Sequence, residues 1–258
     1  MSSSERFGFE WEKYNSLDAE YYEQYKNQFL NWTYPAPPEF YRQKNILDAG
    51  CGMGRNSYWC LEWGCAALTA FDKDTRSVRA AKKNLAGFNN CEVIEADIYN
   101  LPWENKFDFA MSIGVIHHLA EPKRALAEIK KTLKPQGEIL IWVYGVEGFS
   151  AFVKILNPIR KYITSKLPLP LLHGLTYLAS IPLYFYLKII KPKKEYLKQI
   201  SRFSLRHLHS IIFDQLLPAI ANYYTKEQAG DLLSEFNNVA ICQPPNKNGW
   251  IVRGKKIV

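Results

Sequence analysis

The sequence predicts a doubly wound α/β fold with a helical insertion after its fifth strand. Three observations predict it. Strand-like and helix-like segments alternate from residue 45 to residue 144 with short connections. A glycine loop, Gly50-Cys-Gly-Met-Gly54, falls between the first of these strands and the first helix. The alternation then stops for about 80 residues and resumes at Thr225. Strands joined through helices imply a parallel sheet, with ligand chemistry at the carboxyl ends of the strands.

Residues 1–44 read as an aromatic, mildly acidic arm, helical over 19–32 and broken by Pro35-Ala-Pro-Pro38. The core follows at 45–145. Its first strand includes Ile46-Leu47, and the helix after the loop covers 55–63. The apolar run 66–71, bounded by Asp72, is a buried second strand, and the helix over 74–85 takes Asp74 or Thr75 as its cap. Glu92-Val-Ile-Glu95 is the third strand and 107–112 the fourth. A helix over 123–133 is closed by Lys134-Pro-Gln-Gly137, and 138–144 is the fifth strand. Residues 146–224 form the insertion, helical and apolar, with prolines throughout. In the closing segment, 225–258, Thr225 and Gln228 fit a capping box. A helix to about residue 236 and two strands, near 239–242 and 250–253, complete the core.

With 258 residues, 47% apolar and 22% charged, the chain can bury one large core and is not disordered. Its start has no apolar run of the kind a signal peptide needs. Five cysteines with irregular spacing form no C-x-x-C pair, which argues against zinc and fits a reducing cytoplasm. The net charge of +8 is concentrated: residues 151–226 hold twelve Lys and Arg against Glu195 and Asp214 alone, so the remainder is mildly acidic. An anionic partner would meet this one segment.

The glycine loop has the spacing G-x-G-x-G, with Asp48 two residues ahead of Gly50. The pyrophosphate fingerprint G-x-G-x-x-G does not match. An acid beside such a loop suits a ligand with cationic groups. Asp72 ends the second strand, where a carboxylate can accept from both ribose hydroxyls. Asp97-Ile98 follows the third strand, placing an acceptor for an exocyclic amine beside an apolar side chain. Each acid alone is an ordinary surface or cap residue; three at successive strand ends form a pattern.

These segments, Leu47 to Gly54, Asp72, Asp97, Phe107-Asp-Phe-Ala-Met-Ser-Ile-Gly-Val-Ile-His-His-Leu119 and Leu133-Lys-Pro-Gln-Gly137, resemble the ordered motifs of class I S-adenosylmethionine (SAM)-dependent methyltransferases. The resemblance implies a seven-stranded Rossmann-like sheet with its last strand antiparallel. It also implies SAM bound by Asp48, Gly50, Gly52, Asp72, Asp97 and Ile98, with Cys51, Lys73 and Ser112 beside them. Phe7-Gly-Phe-Glu-Trp11 and Trp142-Val-Tyr144 are similar to a subgroup associated with small-molecule and saccharide pathways.

Amino-group methyltransferases carry an N/D-P-P-Y/F turn after the fourth strand; Ser112-Ile-Gly-Val disfavours that chemistry here. Methyl transfer to a hydroxyl requires proton removal, and His117, ahead of His118, is the candidate base. Each histidine has an alternative role as a packing or surface residue. In Arg206-His-Leu-His209-Ser-Ile-Ile-Phe-Asp214, two histidines on one helix side have an acid within reach. Asp214 could orient a histidine or bind acceptor hydroxyls, or act only as a capping acid; the histidine spacing is poor for a metal, and none is needed.

Residues 171–190 are long and apolar enough to suggest a membrane span, but a single crossing would strand the last two strands on the wrong side. The stretch is therefore a packed cap or an interfacial element, flanked by five lysines over 188–198 that suit an anionic membrane surface on the cytoplasmic face. The expectation is O-methyl transfer to a small-molecule, saccharide or lipid-linked acceptor. The alternatives are an RNA methyltransferase and a non-catalytic SAM-binding protein. Nucleic acid is disfavoured because the basic residues are interleaved with Leu, Ile and Pro rather than with stacking aromatics.

Overall fold

A computed structural model describes residues 2–147, 150–190, 192–193 and 195–257. Lys191 and Lys194, counted in the basic segment, lie outside the described residues.

The elements, in chain order, are α1 (Ser3–Lys13), α2 (Tyr22–Trp32), β1 (Asn45–Ala49), α3 (Arg55–Glu62), β2 (Ala67–Asp72), α4 (Thr75–Asn84), β3 (Cys91–Glu95), β4 (Phe107–Ile113), α5 (Pro122–Thr132) and β5 (Leu133–Val143). Then come α6 (Ser150–Tyr162), α7 (Leu169–Ile189), α8 (Glu195–Ile200), α9 (Leu205–Leu216), α10 (Lys226–Asp231), β6 (Asn237–Cys242) and β7 (Trp250–Lys255). One seven-stranded sheet has the order β3-β2-β1-β4-β5-β7-β6, parallel except for β7, which runs antiparallel to both β5 and β6.

Both faces of the sheet are covered, which is why its central strands read as continuous apolar runs. Along β5, Leu140 and Trp142 point into the cluster with α2, α3 and α4, while Ile139, Ile141 and Val143 join α5 and the chain after α10. This is the two-residue alternation of a strand buried on both sides. Asp74 caps α4, accepting from the Arg76 amide at 2.9 Å. Thr225 and Gln228 form the expected capping box on α10.

The structure differs from the expectations at three places. Ser3–Lys13 is a helix with a Ser2/Glu5 capping box, in a stretch too mixed in polarity to show an apolar stripe. Lys134–Gly137, read as a turn, is drawn into β5 opposite Phe107, with an irregular register between Phe107 and Phe109. Helix α10 stops at Asp231, and turns rather than helix lead to β6.

Helix α1 is fastened over the carboxyl ends of the strands. Buried Arg6 donates to the carbonyls of Leu217 (2.6 Å), Ser165 (2.9 Å) and Thr164 (2.8 Å). Gly8 lies so close to Asp74 that a Cβ would collide with its carboxylate. Helix α7 buries Leu169, Leu172, Thr176, Ser180 and Leu187 along one stripe, with Leu172 packed on Phe213 and Leu217. Its opposite stripe is open. Among the described residues, no helix is long and apolar enough to cross a membrane.

Candidate active site

The glycine loop between β1 and α3 is pinned from several sides. The amides of Gly50 and Cys51 both donate to the Phe71 carbonyl at 2.9 Å, and the Gly52 amide donates to Asp72 Oδ2 at 3.0 Å. Gly50 has φ +82°, and a Cβ there would lie 2.5 Å from Val115 Cγ2. Both the conformation and the close approach therefore require glycine.

Gly50, Cys51, Gly52, Asp72, Lys73, Asp97 and Ile98, all expected from the sequence, line one end of a cavity of about 1300 Å³. Phe71, Ala96, Tyr99 and Trp11 line the same cavity and were not assigned from sequence. Two expected residues do not line it. Asp48 is buried behind the loop, accepting from Ser57 Oγ at 2.6 Å, and Ser112 Oγ donates to the Ala49 carbonyl at 2.9 Å. Both brace the loop from behind, because β1 and β4 lie in the sheet interior where their side chains face the helices. Burial pushes the Asp48 carboxyl up to about 7, with Ser57 opposing.

Burial also raises Asp72, against the amides of Asp74 and Gly52 that donate to it. For Asp97, partial burial acts upward but is outweighed by the Lys73 ammonium, 2.6 Å away, and by the Tyr99 amide, so its carboxyl stays low. The lining fits SAM: a glycine cradle that a Cβ would fill, one carboxylate at the end of β2 and one after β3.

The cavity extends beyond this cradle beneath α1, α7 and α9, and its volume exceeds the roughly 300–1,000 Å³ of a single-ligand pocket. Its far end holds Glu10, Arg55, Asp214, Gln215, Trp32, Trp142, Tyr144, Tyr196 and Tyr223. Glu10 is 1% exposed; Oε1 accepts from Ser210 at 3.0 Å and Oε2 has no partner. Burial, and then the Asp214 charge, raises Glu10 well above its usual range. Burial also pushes Asp214 up to about 6, opposed by Arg55 and Arg160. Glu10 sits within Phe7-Gly-Phe-Glu-Trp11; an acid among aromatics was the available signal. Nothing in the sequence around Arg55 marked it.

The histidines separate. His117 is 0% exposed, does not line the cavity, and neither ring nitrogen has a partner; its ring lies 3.8 Å from that of Tyr144. Burial, and then His118, holds it far below its usual range, so it is neutral. The expectation of His117 as first-choice base therefore loses its geometric support, because the turn after β4 aims it beneath Tyr144. His118 does line the cavity. Its Nδ1 donates to the Ile220 carbonyl at 2.8 Å, leaving Nε2 unprotonated, and burial lowers it to about 4.

The expectation that His207 and His209 share a helix side is also corrected. Two residues along a helix are about 200° apart. His207 faces the cavity and stacks on Phe203, while His209 turns away, accepting from Tyr14 and donating to the His173 carbonyl at 3.0 Å. The Asp214 carboxylate accepts from Gln215 at 3.3 Å rather than from either ring.

Comparison with known proteins agrees with this geometry. Residues 47–141 match the family described as a methyltransferase domain. A tRNA U34 carboxymethyltransferase from Methylococcus capsulatus is 31% identical over 122 residues, 46% of this chain and 37% of that protein. A malonyl-[acyl-carrier protein] O-methyltransferase from Halalkalibacterium halodurans is 29% identical over 109 residues, 40% of each. The chain thus spans well under half the length of these two curated relatives. Human N-acetylserotonin methyltransferase, solved in complex with SAM, shares the fold with a TM-score of 0.57 at 17% identity, over 100% of this chain and 57% of that one. A SAM-dependent methyltransferase from Thermotoga maritima gives 0.55 at 14% identity, over 98% and 99%. Residues 47–141 thus match a methyltransferase domain, and the chain shares its fold with SAM-dependent methyltransferases.

Proposed function

We propose that this chain transfers a methyl group from SAM to an oxygen of a small-molecule, saccharide or lipid-linked acceptor. The observation that carries this reading is the one cavity that holds both the glycine cradle and a carboxylate-bearing region beneath α1, α7 and α9. SAM, when bound, supplies an electrophilic methyl carbon. The chain's own residues do the rest: α1 and α9 exclude water, and the chamber holds an acceptor oxygen in line with the cradle. Residues 146–224 act as the substrate cap, since Ala179 and Leu183 of α7 and Leu208 and Ile211 of α9 line the cavity.

The same α7 supports the peripheral-membrane reading. Leu171, Leu175, Leu178, Phe185 and Ile189 recur on its outer face, with Leu178 75% and Ile189 79% exposed. Lys188 lies in its last turn, and Lys193 and, within α8, Lys198 follow it in the chain. An apolar stripe edged by cations complements an anionic lipid surface on the cytoplasmic side, from which a lipid-linked acceptor would enter.

A second reading, an RNA acceptor, is supported by the tRNA relative and by the basic surplus of residues 151–226. One experiment separates these: calorimetric titration with SAM and its demethylated product, then methyl-label transfer into lipid, aqueous and RNA fractions. Label in the lipid or small-molecule fraction supports the proposal, and label in RNA replaces it with the second reading. Binding without transfer to any fraction would leave a SAM-binding protein without turnover.

A further inference from the structure

The acceptor end of the cavity brings together groups from seven parts of the chain. Around Asp214 of α9 stand Glu10 of α1, Arg55 of α3, Tyr144 after β5, Arg160 of α6 and Tyr196 of α8, with Tyr223 stacked on Tyr144 at 5.2 Å between ring centroids. Ser210 and Asp214 lie four residues apart on α9 and so share one face. Ser210 holds Glu10 Oε1, leaving Oε2 as a buried, unpartnered oxygen at a residue that lines the cavity. Arg55 lies over the rings of Trp32 (5.4 Å) and Tyr25 (5.7 Å). Leaving the Glu10 oxygen without a partner is costly unless a ligand supplies one.

We propose that Asp214 receives the proton of an acceptor hydroxyl, that Glu10 positions the same acceptor through Oε2, and that the acceptor is a polyhydroxylated, sugar-like ring. This rests on the methyl-transfer reading above. The two carboxyl groups sit in environments that drive their protonation apart. Arg55 favours the ionised form at both, Arg160 acts at Asp214, and Glu10, the more deeply buried, is raised well above its usual range by burial. One carboxylate acceptor and one carboxylic acid donor, with Gln215 and Arg55 alongside, match hydroxyls on neighbouring carbons. Trp32 and Trp142 line the same cavity and give it apolar, aromatic walls beside these polar groups. In the step itself, the acceptor O–H bond breaks and its proton passes to Asp214. The oxygen forms the bond to the methyl carbon as the bond from that carbon to sulfur breaks, sulfur keeping the electron pair. Asp214 returns the proton to water as product leaves.

The test uses the full chain with ¹³C-labelled carboxyl groups and, as probes, the methyl α-glycosides of glucose, mannose and galactose. The Asp214 signal, identified by its loss in Asp214→Asn, should titrate near pH 6 and move upward in Arg55→Gln. At least one glycoside should saturate the tryptophan fluorescence of the SAM-loaded protein and bind at least tenfold more weakly to Asp214→Asn and Glu10→Gln. Calorimetric SAM affinity should be unchanged in both variants, which also shows that they fold. Titration of Asp214 in the ordinary carboxylate range, or failure of all three glycosides to bind while SAM binds normally, overturns the proposal. Failure of the wild type to bind SAM would instead overturn the reading beneath it.

Discussion

Ser210 donates a 3.0 Å hydrogen bond to Glu10, joining α9 of the cap to α1 at the other end of the sequence. This part of the cavity is therefore built from segments about 200 residues apart and depends on their closure. The buried carboxyl groups there leave a signature in stability. Asp214 has a folded-state value of about 6 against an ordinary 3.8. The folded state binds this proton more tightly, so the stabilisation is present in full below the unfolded value and is lost as pH rises through about 6. Asp214→Asn should raise the melting temperature at pH 8, by up to about 3 kcal/mol in stability, and give no gain at pH 4. Thermal melts at the two pH values check this; equal shifts at both would contradict it.

Gly50→Ala places a methyl group 2.5 Å from Val115 Cγ2 at a backbone φ of +82°. The left-handed conformation alone costs about 1–2 kcal/mol. SAM affinity should fall at least tenfold by calorimetry. Adding Val115→Ala should restore only part of the loss, because it relieves the contact and not the backbone. Gly87→Ala, where the added Cβ meets open space, should bind SAM like the wild type.

His117 does not line the cavity, and its ring nitrogens have no hydrogen-bond partner. His117→Leu should keep label transfer within about threefold of wild type, whereas loss of a general base costs about 10²–10⁴-fold. The variant should also melt no lower, since it removes two unsatisfied buried nitrogens. A hundredfold fall in transfer with normal SAM binding would return His117 to the chemistry.

The outer face of α7 predicts binding to vesicles of phosphatidylglycerol with phosphatidylcholine, weakened by salt and absent from phosphatidylcholine alone. Leu178→Glu with Phe185→Glu should reduce co-sedimentation at least tenfold and leave SAM affinity intact, since neither side chain lines the cavity. Unchanged co-sedimentation of the double variant would remove the membrane from the reading.

The sequence by itself determined the sheet, the cofactor loop and the acids at the ends of β2 and β3. These are local: a glycine spacing, a buried apolar run and a strand-end acid each report on a few adjacent residues, and the βα alternation orders them. The apolar, helical character of residues 146–224 was equally legible in composition. Only the tertiary structure decided which loop residues face the ligand and which brace it, sending Asp48 and Ser112 behind the cradle and His117 beneath Tyr144. It also drew Glu10 and Arg55 to Asp214. Arg55 carried no local signal and Glu10 only its aromatic neighbours, because the role of each arises from burial beside groups that are distant in sequence, and desolvation is a property of the assembled fold.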